Sequence, residues 1–94
     1  MSLRLNTKTK EYVFVPVTLN DAAPDPGLDV KVAFPAQGEA PETWIDAAWD
    51  DGRARVLVGP GADVELAAGH YDVWVQVTAN PETPIRKAGL IDIT

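Results

Sequence analysis

The chain has no cysteine, and only one histidine, His70, and one serine, Ser2, among its 94 residues. Without thiols there is neither a disulfide framework nor a thiolate metal site, so the fold must hold by packing alone. Ser2 lies near the start and no G-x-S-x-G segment exists, which excludes the usual nucleophile arrangements and leaves no triad to assemble. A single imidazole with no second His or Cys makes a poor metal site, and His70, between Gly69 and Tyr71, reads as a corner residue. Long apolar runs are missing too. None approaches the roughly 20 residues of a spanning helix, and the polar stretch from Met1 to Lys10 lacks the apolar segment of a secretory signal. A soluble chain made in the cytoplasm, with no membrane partner, is the expectation. Positive charge is scarce: 8 basic against 14 acidic residues give a formal charge of −6. Nucleic acid would require a basic patch able to release condensed counterions, so it is not expected as a partner.

What is present describes an ordinary globular domain. Hydrophobic residues make up 46% and charged residues 23%, away from the balance of disordered chains. The length suits one domain over residues 1–94, with 1–10 as an arm or edge strand. The periodicity is two almost throughout, the signature of strands with one buried face. Leu3 and Leu5 alternate with polar neighbours in a short leading strand, or an arm that pairs with a neighbour. From Glu11 to Leu19, Val13, Val15, Val17 and Leu19 share one face, while Tyr12, Phe14, Pro16 and Thr18 share the other. Pro16 cannot donate to a ladder, which places this strand at an edge or at a bulge.

The segment Asn20–Gly27 is rich in turn formers and reads as a loop. Leu28–Phe34 is the next strand, followed by a turn over Pro35–Pro41. Thr43–Trp49 is another strand, with Ile45, Ala47 and Trp49 on one side. Asp50-Asp51-Gly52 supplies an Asp-Gly hairpin signal, with Arg53–Val58 as partner. Gly59-Pro60-Gly61 is a turn, since no G-x-x-x-x-G-K-[ST] pattern or following helix accompanies it. Asp63–Leu66 reads as a short strand and Ala67–His70 as a corner. Tyr71–Thr78 alternates Tyr71, Val73, Val75 and Val77 against Asp72, Trp74, Gln76 and Thr78. Asn80–Pro84 turns the chain into a last strand, Ile85–Ile93, bulged around Gly89.

About seven or eight short strands between proline- and glycine-rich turns predict an all-β fold, an immunoglobulin-like β-sandwich of antiparallel strands. The stretch Leu66-Ala67-Ala68-Gly69-His70-Tyr71-Asp72-Val73 resembles the tyrosine corner of immunoglobulin-like and fibronectin-like domains. There, a tyrosine entering a late strand sends its hydroxyl back to the preceding corner backbone.

The carboxylates Asp21, Asp25 and Asp29, or Asp46, Asp50 and Asp51, are the groupings that could gather calcium, but no D-x-D-x-D-G loop is present and they read as solvated turn and strand residues. A glycosidase would need two carboxylates facing across a cleft, for which so small a domain has little room. No catalytic residue, cofactor or metal is therefore expected, and the chain is not expected to be an enzyme. The aromatic residues suggest a surface instead. Trp74 and Phe14, with Tyr12, sit on the faces opposite their strands' valines, where they would form an apolar patch of the kind that marks partner interfaces. Leu3, Leu5, Phe14, Trp44 and Trp74 are the candidate interface residues.

From Trp44 to Thr94, the segments WIDAAWDDGRARVLVGPG, LAAGHYDVWVQVT and NPETPIRKAGLIDIT resemble small immunoglobulin-like virion proteins of tailed bacteriophages, particularly those infecting actinobacteria. The resemblance implies a structural part of the virion: a capsid decoration or head-to-tail neck (connector) protein, or a tail or baseplate component. It implies other virion proteins, such as the major capsid, neck or tail proteins, as partners, and multiple copies in a symmetric assembly. No functional residue carries over from it. A carbohydrate- or receptor-binding module using Trp44, Trp49 or Trp74 as stacking platforms is the competing expectation.

Overall fold

The computed structural model describes residues 2–17, 27–62, 64–78 and 83–94. The described residues form seven strands: β1 (Ser2–Leu5), β2 (Glu11–Pro16), β3 (Asp29–Ala33), β4 (Ile45–Asp50), β5 (Arg53–Val58), β6 (Gly69–Thr78) and β7 (Ile85–Ile93). The expected loop at Asn20–Gly27 lies outside the described residues except for Gly27, as do Thr18, Leu19 and residues 80–82 of the expected last turn.

The all-β expectation holds, but the arrangement differs from two stacked antiparallel sheets. One mixed sheet runs in the order β1-β7-β6-β3-β4-β5-β2. The physical reason lies in β4, which serves two neighbours in turn. Its first half pairs with β3 through Val30↔Ala47 and Val32↔Ile45, and its second half with β5 through Ala48↔Arg55 and Asp50↔Arg53. The ladder therefore continues where a sandwich would break it into two. Strand twist accumulates along it and curls the sheet into a half-barrel. Pro16 and Val17, at the β2 end, line the same groove as Val75, Val77 and Ala88 of β6 and β7.

Not every pairing is antiparallel. β1 lies parallel to β7, with Leu3↔Ile91 and Leu5↔Ile93 in register. Instead of reaching out as a free arm, it closes one edge of the chain's own sheet.

The concave side is the core. Val13, Val15, Val30, Val32, Val56, Val58, Val73, Val77, Ile91 and Ile93 are all buried there. Among them are the valines of β2, β3 and β6 that the alternation placed on one face, and β-branched side chains suit the pleated surface they cover. Pro16 is tolerated because β2 lies at the edge of the sheet, with β5 as its single partner among the described residues. The β4–β5 hairpin turns at Asp51 (φ 52°) and Gly52 (φ 77°), the two consecutive positive φ angles of a type I′ turn. The bulge expected near Gly89 is present: Val73 pairs with Gly89 and Trp74 with Lys87, leaving Ala88 as the extra residue. The expected strand Asp63–Leu66 reduces to a single parallel bridge between Val64 and Val58, with Asp63 outside the described residues.

The corner ahead of β6 has the predicted hydrogen bond. The Tyr71 hydroxyl donates to the Ala67 carbonyl at 2.9 Å, four residues upstream. Replacing Tyr71 with phenylalanine is expected to cost about 1 kcal/mol, the usual net value of one such bond. In a domain this small that lowers Tm by about 4–8 °C. An unchanged melting curve would show that the hydroxyl does not hold the corner.

Candidate interaction surface

The convex face of β2 and β5 carries side chains that alternation turned away from the valines. Pairing sets Tyr12 opposite Leu57, Phe14 opposite Arg55 and Pro16 opposite Arg53. Across these pairs two guanidinium groups lie over two rings: Arg53 stands 4.4 Å from the Phe14 ring centre, and Arg55 stands 4.8 Å from that of Tyr12. The rings themselves are 6.4 Å apart and tilted by 45°. Each stack draws the cation to the negative face of the ring and keeps the arginine stems extended over apolar surface. Arg53 also stands 3.6 Å from Asp50 across the hairpin. Tyr12 remains 50% exposed, so the patch is open to solvent with an aromatic at its centre.

The five residues singled out from sequence do not gather. Phe14 belongs to this patch. Trp74 lies on the convex face as expected, but β3, β4 and β5 separate β6 from β2, so the two aromatic faces do not merge. Trp74 is half-buried, and its Nε1 is buried with no hydrogen-bond partner among the described residues. Leu5 is buried and Leu3 packs against the same core, so both side chains are engaged within the chain. Trp44 is half-buried in the connection before β4. Trp49 is half-buried, packs against the core and donates its Nε1–H to the Leu28 carbonyl at 2.6 Å.

Arg53 and Arg55 were not legible as partners of the rings, because the β2–β5 pairing joins segments some forty residues apart and no local signal encodes it. Asp72 was missed as well. Alternation puts it on the wet face, yet it is 1% exposed. The cause is the chain after β3, which continues the β3–β6 ladder through Ala36↔Tyr71 and covers that part of β6. The Gly38 N–H donates to Asp72 Oδ2 at 2.9 Å, and Lys87 Nζ lies 3.3 Å from Oδ1. The Gly38 hydrogen bond holds the carboxyl below its ordinary value; burial opposes this and Lys87 reinforces it.

A carboxyl with a lowered folded-state pKa contributes stability at pH values above its unfolded value near 3.8, and that contribution fades as pH falls through the lowered value. Asp72→Asn is therefore expected to melt below the parent at about pH 7, with a smaller gap at about pH 3. Parallel thermal melts at the two pH values check this, and a gap undiminished in acid would contradict it.

A second feature lies at the end of the half-barrel where β3 finishes and β4 begins. It is a cavity of about 330 Å³, with Phe34, Ile45, Val64 and Leu66 as apolar walls and Glu39, Glu42 and Glu65 as its charged groups. Among the described residues, no cluster of three or more His, Cys, Asp or Glu side chains is placed to hold a metal ion. No family model matches the chain, and neither a curated protein nor a solved structure does.

Proposed function

We propose that this chain is a non-enzymatic structural protein of a tailed-phage virion, binding the capsid surface or the head-to-tail neck as a decoration or connector component. The observation that carries the proposal is the open face of β2 and β5, where Tyr12 and Phe14 stack beneath Arg55 and Arg53 on an edge strand. Aromatic and arginine side chains dominate the energetics of protein interfaces, and an edge strand offers unpaired backbone groups beside them. The resemblance of the segments from Trp44 to Thr94 to virion proteins points the same way. So does the Tyr71–Ala67 bond, which favours an immunoglobulin-like reading of the curled sheet. In a particle the chain acts by presenting this rigid face many times over, so that weak contacts add.

The test is occupancy of purified particles of the encoding virus. The chain is expected to sediment with them at a fixed copy number, and Tyr12→Glu is expected to lower that occupancy at least about tenfold while the circular dichroism spectrum is unchanged. Particles that never contain the chain would refute the proposal.

A further inference from the structure

The convex patch and the end cavity are complementary in charge and in apolar character. The patch carries Arg53 and Arg55 around Tyr12, Phe14 and Leu57, with Asp50 3.6 Å from Arg53 as its one acidic neighbour in contact among the described residues, so it stays net basic. The cavity lining holds three carboxylates and no basic group around an apolar wall. One molecule cannot join its own two surfaces through Arg53. The β4–β5 hairpin turns beside Arg53, whereas the cavity opens beside Ile45 at the other end of β4. At about 3.3 Å per residue, that strand holds them about 17 Å apart.

We infer that copies of this chain associate head to tail, the Tyr12–Phe14–Arg53–Arg55 face of one molecule seating against the Glu39–Glu42–Glu65 cavity of the next. The inference rests on reading the β2–β5 face as an interaction surface and names a second copy as its occupant. Such a heterologous contact builds a ring when the rotation closes and a filament when it does not. The net charge of −6 opposes the approach of two copies at low ionic strength. At about 0.15 M salt the screening length falls to about 8 Å, so long-range repulsion fades while ion pairs in contact persist. Association is therefore expected to strengthen when salt is raised from a few millimolar to this range.

Charge exchange provides the test. The patch variant is Arg53→Glu with Arg55→Glu, and the cavity variant is Glu39→Arg with Glu42→Arg. Glu65 is left intact because it accepts the Gly61 N–H at 2.8 Å and holds its own turn. A third variant combines all four changes and keeps the net charge at −6, since two reversals of each sign cancel. Sedimentation velocity from about 10 μM to about 1 mM covers the range of weak contacts. The parent chain is expected to gain mass with concentration, each two-site variant to stay monomeric, and the four-site variant to associate again. Tyr12→Ser, which alters no charge, is expected to weaken the parent association at least about tenfold.

A parent chain that stays monomeric overturns the inference. So does a four-site variant that stays monomeric with a native dichroism spectrum, because a patch-to-patch contact would leave that variant broken. Particle occupancy is scored separately. A monomeric parent chain that still occupies particles defeats this inference alone, and a self-associating chain absent from particles defeats the virion proposal alone.

Discussion

Gly59→Ala is expected to destabilise the fold by about 2–6 kcal/mol, combining backbone strain with forced displacement of a neighbouring segment. Gly59 has φ +142°, and a Cβ there would lie 2.5 Å from both Lys10 Cα and the Thr9 carbonyl oxygen. Both are main-chain atoms, so no side-chain rotation relieves the contact. The segment that must move leads directly into β2, whose first pair is Glu11↔Val58. Gly59 is tied in place as well, its N–H donating to the Val64 carbonyl at 2.9 Å. Gly61→Ala is the control: φ is +76°, but nothing lies within 4 Å of the added carbon. It should show only the conformational cost, about 1–2 kcal/mol. Urea denaturation of both variants gives the comparison. Equal midpoints would mean that residues 9–10 do not pass against Gly59.

Ile91→Ala is expected to cost about 2–5 kcal/mol, the range for removing a large aliphatic side chain from a packed core. Ile91 is 0% exposed on β7, between Tyr71 of β6 and Leu3 of β1. Its loss opens a cavity where the parallel edge strand meets the core. Ile85, on the same strand, is 41% exposed, and Ile85→Ala should stay within about 0.5 kcal/mol. For a domain normally stable by about 5–15 kcal/mol, the first substitution removes a large share and the second very little. A denaturant midpoint that falls as far for Ile85→Ala as for Ile91→Ala would contradict the burial pattern.

Much of the local structure was legible in the sequence because it depends on neighbours a few residues away. The period-two valines of β2, β3 and β6 identify both the strands and their inward faces. Asp51-Gly52 marks the hairpin through its φ requirement, and Gly89 marks the bulge beside it. Tyr71 and the residues before it form a short-range hydrogen bond, so that feature could be read directly. Long-range pairing was not legible in the same way. Alternation states which face a residue takes but not which strand lies beside it, and so the continuous curled sheet replaced the expected sandwich.

The candidate site shows the same division. The outward position of Phe14 and Tyr12 follows from their own strand, whereas the arginines over them come from β5 and the separation from Trp74 comes from strand order. Asp72 illustrates the reverse error. Its strand assigns it to solvent, and a distant turn at Gly38 buries it. Leu3 and Leu5, read as possible contacts to a neighbour, find their partner in β7 of the same chain, through a parallel pairing that the sequence pattern cannot announce.

The proposed virion role requires the β2–β5 face to be the working surface of the molecule. Imaging the assembled particle at a resolution that traces strands would test this directly. The expected density has the chain in place, with Tyr12, Phe14, Arg53 and Arg55 buried against a neighbouring protein. Density showing that face bare to solvent, with another part of the domain making the contact, would contradict it.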